Sequence, residues 1–285
     1  MAKILKGADV VRALGEKMSL EIENLKKNGI TPTLATLRVG ERADDISYEK
    51  SIKKRCESVG VAVKSIVFPS DVTQDELLIC IDGFNNDKKV HGVLMFRPLP
   101  DNICEDTIRN ALRPEKDIDG ITDASLASVF AGSDKGFAPC TARACIEILD
   151  FYGIDCTGKK AVVIGRSLVV GKPVAIMLMG KNATVTVCHT RTVDIPAIAR
   201  KADILIVAAG RAESITEEFL SSAQVVIDVG INWNDEKQKL VGDVRFEVAE
   251  RIVKAITPVP GGVGTVTTSV LVSNVVKAAG MEKTK

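Results

Sequence analysis

Along residues 10–25 the apolar positions Val11, Leu14, Met18, Ile22 and Leu25 recur at steps of three and four. That spacing predicts an amphipathic helix lying on a core. Short apolar runs follow: TLATLRVG (33–40) reads as a strand ending in Gly40, VAVKSIVF (61–68) as a second, and HGVLMF (91–96) as a third, stopped by Pro98 and Pro100. A charged helical stretch to about residue 58 and another near 73–86 separate them. Strands alternating with helices at this spacing predict parallel βαβ units. Ligands of such sheets collect beyond the carboxyl ends of the strands, so Gly40, the segment after Phe96 and the loop near Asp119 are expected on one face.

A second unit begins after GFAPCTARACIEILDFYGI (136–154), where Thr141 is placed to cap a helix bearing Ile146 and Leu149. Strands then recur at 161–165, 183–188, 203–210 and 224–230 with helix-compatible intervals, which gives a second αβ layer with its own sheet. From Gly264 onward the chain reads as a helix with Val270, Val272 and Val275 available for burial, able to pack back onto the first unit. The expected class is α/β in two αβ lobes: residues 1–141, completed by the helix 265–285, and residues 142–264. The tail MEKTK is expected to be disordered.

Composition then removes several functions. A 46% hydrophobic share fits a globular chain with a core, and 38 basic against 37 acidic residues leave +1, so no global field draws it to nucleic acid or an anionic membrane. Two histidines exclude a multi-His metal centre, and 4% aromatics are few for stacking single-stranded nucleic acid. The seven cysteines are scattered and include no C-x-x-C pair, which indicates neither a disulfide framework nor a zinc ribbon and fits a reducing cytosol. The first residues reach charges too soon for a signal peptide, and no apolar run approaches the roughly 18 residues of a membrane span. A cytoplasmic protein without a metal is expected.

The sharpest chemical signal is AVVIGRSLVVGKP (161–173): a strand, Gly165, a loop, then Gly171 and Pro173 at a helix start. Glycines let the backbone approach a pyrophosphate, and a helix N-terminus supplies free N–H groups. Five residues separate the two glycines and Ser167 stands where G-x-G-x-x-G has its middle Gly, so dinucleotide binding and an ordinary βα turn both remain open on pattern alone. After the next strand comes Cys188-His189-Thr190-Arg191-Thr192, with no acid until Asp194 to hold ribose hydroxyls. Arg191 with Arg166 suits a 2′-phosphate; each alone also reads as a solvated loop charge, but their joint placement favours NADP over NAD. His189 reads as a structural or solvated loop residue beside that site, and His91 as a satisfied histidine opening a strand. Cys140, at a helix start that would lower a thiol pKa, has no partner histidine and reads as packing.

Taken together, RVGERADDISYEKSIKKRCESVGV (38–61), VHGVLMFRPLP (90–100), RPEKDIDGIT (113–122), VVIGRSLVVGKP (162–173) and ITPVPGGVGTVTTSVL (256–271) resemble the bifunctional methylenetetrahydrofolate dehydrogenase/cyclohydrolase family over essentially the whole length. The resemblance implies two Rossmann-like lobes with folate in the cleft between them, a homodimer, and NAD(P)-linked oxidation of methylenetetrahydrofolate to the methenyl form, followed in most members by hydrolysis to formyltetrahydrofolate. It makes Tyr48 the ring against the aminobenzoyl group and Asp119 the acceptor of the pterin's N–H donors. Pro260, Gly261 and Gly262 fall in the loop that closes over nicotinamide and substrate. Gly165, Arg166, Ser167, Gly171, Thr190, Arg191, Gly262 and Thr267 fall to the cofactor. Without the resemblance, Tyr48 on a charged helix reads more readily as a packing residue and Asp119 as an ordinary turn acid.

Three positions depart from the pattern. Bifunctional members carry Tyr-x-x-x-Lys, whereas the fourth residue after Tyr48 is Ile52; Phe96 stands at the usual Gln of V-Q-L-P-L-P; and Asp45 replaces a Ser. Lys53 lies about 100° around the helix from position 52. Hydride removal leaves the methenyl cation with no proton to abstract, whereas hydrolysis needs a tuned acid/base group. The expectation is an NADP-dependent dehydrogenase with weak or absent cyclohydrolase. The alternatives are a bifunctional enzyme in which Lys53, Arg97 or Asp45 has taken over proton transfer, and a non-catalytic folate-binding paralogue.

Overall fold

The computed structural model describes residues 1–281, so the tail beyond Met281 lies outside the described residues. In chain order the first elements are β1 (Lys3–Ile4), α1 (Gly7–Lys27), β2 (Thr33–Val39), α2 (Ala43–Val59), β3 (Ala62–Phe68), α3 (Gln74–Asn86) and β4 (Gly92–Met95). Then come α4 (Glu105–Ala111), α5 (Asp123–Ala131), α6 (Cys140–Phe151), β5 (Lys160–Ile164), α7 (Gly171–Gly180), β6 (Thr184–Cys188), α8 (Ile195–Ala199) and β7 (Ile204–Val207). The last are β8 (Val225–Asp228), the hairpin β9 (Asn232–Asn234) and β10 (Lys239–Val241), α9 (Phe246–Ile252), β11 (Ala255–Ile256) and α10 (Val263–Met281).

The chain forms two compact units, one of residues 13–140 with those from Thr268 on, the other of residues 1–12 with 141–267. The segment Met1–Arg12, expected in the first lobe, therefore belongs to the second unit, where β1 pairs in parallel with β11, Lys3 opposite Ala255 and Ile4 opposite Ile256. From Thr268 on, α10 belongs to the first unit. Both α1 and α10 start in the second unit and continue in the first.

The unit of residues 13–140 holds a three-stranded parallel sheet in the order β3-β2-β4. Leu37, Val39, Leu77, Ile81, Val93 and Met95 bury themselves in one cluster beneath it. Thr73 starts α3 with a reciprocal capping box to Glu76, which satisfies two N–H groups at that helix end. Val275 of α10 stands against Gly92 of β4, 3.2 Å from where a side chain there would begin.

The other unit holds a six-stranded parallel sheet in the order β1-β11-β8-β7-β5-β6. In both sheets the connections change direction at an inner strand. The chain goes from β2 outward to β3 and then back past β2 to β4, and from β5 outward to β6 and then back past β5 to β7. These are the switch points at which open α/β sheets hold ligands, beyond the carboxyl ends of the strands. The strands foreseen at 203–210 and 224–230 stop early, at Val207 and Asp228. The reason is local: the N–H groups of Ala209 and Gly210 go to the Asp243 carboxylate, and that of Gly230 to Asp228, so neither segment continues the ladder. Thr141 is inside α6, which begins at Cys140, and is not its cap.

Candidate functional site

At the carboxyl end of β2, Gly40 turns the chain in the left-handed region (φ 71°) and α2 follows. Asp45, Glu49, Ile52 and Cys56 form the buried face of α2. Glu49 is almost wholly buried and accepts hydrogen bonds from the Thr36 hydroxyl (2.9 Å) and Arg38 Nε (3.3 Å), with Lys53 Nζ at 3.1 Å. Burial works to raise its pKa, but bonds from Ser65, Lys53 and Thr36 outweigh that and hold the carboxylate below its ordinary range. Arg38 also donates to the Gly40 carbonyl, which ties this network to the turn.

Tyr48, one residue before Glu49, keeps 37% of its surface exposed, and Phe96 meets its ring edge-on at 6.1 Å between centroids. Desolvation, then the nearby Asp119 charge, raises the pKa of the Tyr48 hydroxyl, against a hydrogen bond with Thr268 of α10. Tyr48, Phe96, Asp119, Cys140 and Thr268 are thus neighbours, as the sheet argument anticipated for the ends of β2 and β4. Asp119 has its pKa pushed up to about 6, first by desolvation and then by the Asp117 carboxylate, with Cys140 and Arg97 opposing. Its loop is braced on both sides. Asp117 accepts from the N–H groups of Ile121 (3.0 Å) and Thr122 (2.8 Å), and Asn274 of α10 donates to the Ile118 carbonyl at 2.8 Å.

Cys140 is buried, its thiol 3.2 Å from the Ile118 carbonyl. Burial and the Asp119 carboxylate drive its pKa well up, so the lowering expected from its helix-start position does not occur, and packing is the role left to it. Ile52 is fully buried. The three groups considered as substitutes for a lysine at that position are engaged elsewhere: Lys53 with Glu49, Arg97 with Glu105 at 3.1 Å, and Asp45 with Arg42 at 3.7 Å.

The other unit carries the glycine turn. Gly165 follows β5 at φ 124°, and a side chain there would begin 2.3 Å from the Ala208 carbonyl oxygen; one on Gly171 would begin 2.2 Å from the Gly165 carbonyl oxygen. Gly165 N–H donates to the Cys188 carbonyl at 2.9 Å, joining the turn to the end of β6. The Ser167 hydroxyl accepts from Val170 N–H (3.1 Å) and its carbonyl from Lys172 N–H (3.0 Å), while α7 starts at Gly171 with no side-chain cap and with Pro173, which has no N–H, in its first turn. Arg166, Thr190 and Arg191 are exposed, and among the described residues neither guanidinium has an ion-pair partner. His189 Nδ1 accepts from Arg191 N–H at 3.2 Å while the His189 backbone N–H donates to the Thr192 hydroxyl at 3.0 Å, so this histidine shapes the turn. His91 is likewise structural, Nδ1 accepting from Thr33 N–H at 3.1 Å. Cradle glycines, an uncapped helix start and two unpartnered arginines fit an anionic dinucleotide with an extra phosphate.

Pro260, Gly261 and Gly262 form a turn before α10, Gly261 at φ 100° with its carbonyl accepting from Gly7 N–H at 2.8 Å, and Thr267 donates to the Val263 carbonyl inside the helix. Sequence reading missed Ile231, 60% exposed just past β8 and against Gly264. It also missed the buried carboxylates Asp228 and Asp243, whose partners are mostly backbone N–H groups of distant loops. An exposed isoleucine at a strand end was a usable signal; the two acids carried none. No group of three His, Cys, Asp or Glu suited to a metal occurs among the described residues, and no helix is long and apolar enough to cross a membrane.

Two parallel sheets with switch-point sites, one of them a glycine turn suited to a nucleotide, define a two-unit α/β protein of the nucleotide-binding kind. The chain belongs to the tetrahydrofolate dehydrogenase/cyclohydrolase family: the model of its catalytic domain matches residues 5–119, and that of its NAD(P)-binding domain residues 139–283. The "Bifunctional protein FolD" of Clostridium botulinum (strain Langeland) is 46% identical over 279 residues, 98% of this chain and 99% of that protein. Among solved structures, the bifunctional FolD methylenetetrahydrofolate dehydrogenase/cyclohydrolase of Campylobacter jejuni is 39% identical with a TM-score of 0.96, over 99% of this chain and 100% of that one. The Trypanosoma brucei enzyme, solved with NADP and an inhibitor, is 33% identical with a TM-score of 0.92, over 100% and 99%.

Proposed function

We propose that this chain is an NADP-dependent methylenetetrahydrofolate dehydrogenase whose cyclohydrolase activity is weak or absent. Family membership supports the first half. The second rests on one observation: Ile52, where bifunctional members carry lysine, is fully buried, and the three candidates to replace that lysine, Lys53, Arg97 and Asp45, are each held by another charge.

Asp119, ionised, accepts the N–H donors of the pterin, and Tyr48 gives its exposed ring to the aminobenzoyl group. With Phe96 packed on its edge, Tyr48 is held in one orientation, which is what hydride removal from the methylene bridge requires. NADP bound at Gly165–Gly171 supplies the hydride acceptor. Arg166 and Arg191 would hold the 2′-phosphate, Ser167 and the start of α7 the pyrophosphate, and Gly262 with Thr267 the nicotinamide end. Removing hydride leaves the methenyl cation directly, so no residue has to take a proton.

Hydrolysis of that cation needs water to lose a proton and a ring nitrogen to gain one. Ile52 and Phe96 can do neither, Lys53 is spent on Glu49, and loss of such a group costs on the order of 100- to 10,000-fold. The test is NADP-dependent formation of the methenyl chromophore, then its decay against the uncatalysed rate. Formation without accelerated decay is expected. Both activities together would overturn the cyclohydrolase half, and neither would make the chain a binding paralogue. Ile52→Lys with Phe96→Gln should restore measurable hydrolysis. We further take the working form to be a cytosolic homodimer, which sedimentation of the purified protein and cell fractionation check.

A further inference from the structure

We infer that Asp243 is a positioning residue for the nucleotide site: its carboxylate fills the backbone cup of Ala209, Gly210 and Arg211 and so fixes the wall on which the Gly165 turn closes. The inference deepens the NADP reading and rests on it. Asp243 is fully buried, and no ion pair joins it among the described residues. Its Oδ2 accepts from Ala209 N–H (2.7 Å) and Gly210 N–H (2.8 Å), and Oδ1 from Arg211 N–H (2.9 Å) and Asn232 Nδ2 (2.9 Å). Gly210 at φ 66° lets three successive N–H groups converge on one point, an anion cup of the kind that elsewhere receives phosphate. Here the protein fills it with its own anion.

The consequence reaches the cofactor through two contacts. Ala208, one residue before the cup, donates to the Ile164 carbonyl at 2.8 Å, and its own carbonyl limits Gly165. A shift of the 208–211 loop by a few tenths of an ångström therefore moves the turn that faces the pyrophosphate. Asp243 is itself held from the end of β8, where Asp228 accepts from the N–H groups of Gly230 (2.9 Å), Asp243 (3.1 Å) and Val244 (2.9 Å). Gly230 walls the carboxylate in, since a side chain there would begin 2.4 Å from it. Packing alone would not call for a negative charge at the centre of four N–H groups. Holding a loop of donors in one conformation does, because without the charge those part-buried donors lose their common partner and the loop relaxes toward others.

The test is titration calorimetry of NADP with the full chain, alongside dehydrogenase kinetics for each substrate. Wild-type binding checks the NADP reading itself; if the wild type does not bind NADP, that reading and this inference fall together. With binding established, Asp243→Ala should raise the NADP Kd by about ten-fold or more, with the folate KM at saturating NADP changed by less than about two-fold. Formate should recover part of the lost affinity by entering the vacated cup, and neutral formamide should not. An unchanged Kd in the folded variant overturns the inference. So does a rise in both constants that formate leaves untouched. If Asp243→Ala does not fold, Asp243→Asn keeps the shape and loses the charge; it should still raise the NADP Kd several-fold without moving the folate KM, and an unchanged Kd overturns the inference.

Discussion

The two switch points are the same topological device finished in opposite ways. After β2 and after β5 the chain turns at a glycine with positive φ, Gly40 and Gly165, and enters a helix. At the Gly40 end the charges are internal: Glu49 is met by Thr36, Arg38 and Lys53, and Arg97 by Glu105, which leaves Tyr48 and Asp119 as the groups with something to offer a ligand. At the Gly165 end the charges are outward, with Arg166 and Arg191 unpaired among the described residues and the start of α7 uncapped. The difference separates two kinds of recognition. On the proposed reading, a planar, weakly charged heterocycle is read by a few buried or packed side chains, and a polyanion by backbone N–H groups and exposed cations.

Three measurements test that contrast, beginning with the largest effect. Asp119→Ala should lower kcat/KM for the folate by on the order of 100-fold, the scale of losing hydrogen bonds to a charged acceptor, while NADP affinity stays within a few-fold. Equal losses for both ligands would erase the division of labour. Arg191→Ala should raise the KM for NADP by on the order of ten-fold and leave that for NAD unchanged, because only the former carries the phosphate. Equal losses with the two cofactors would remove the 2′-phosphate assignment. The smallest effect is in the pH profile. With Asp119 at about 6, its accepting form predominates above that pH, so the folate KM at saturating NADP should climb as pH falls through 6, and Asp119→Asn should flatten that limb. A limb that persists in the variant would belong to another group.

Much of this was legible in the residues because it depends on short-range pattern. The apolar runs predicted the inner strands, the glycines marked the turn after β5, and the motifs around Tyr48 and Gly165 carried the resemblance to the family to which the chain belongs. What stayed hidden depends on pairing between distant segments. β1 is two residues long and joins β11 some 250 residues later, so no local periodicity marks it and the N-terminal segment was assigned to the wrong unit. Asp228 and Asp243 look like ordinary acids at the end of apolar runs, since their partners are backbone groups that any sequence could supply. Cys140 was misjudged electrostatically for a similar reason: a helix start would lower its pKa, but Asp119, brought beside it by folding, does the reverse.

The passage of both terminal helices from one unit to the other has a genetic consequence. A fragment ending at Cys140 would keep β1 without its partner strand and would lack Val275, the residue seated against Gly92. A fragment starting at Thr141 would lack β1 and end in a long apolar helix with nothing to cover it. Recombination at the one boundary between the two family domains therefore yields no transferable module. The unit of residues 1–12 and 141–267 can be lent to another protein only by an exchange with three junctions, after Arg12, before Thr141 and after Thr267.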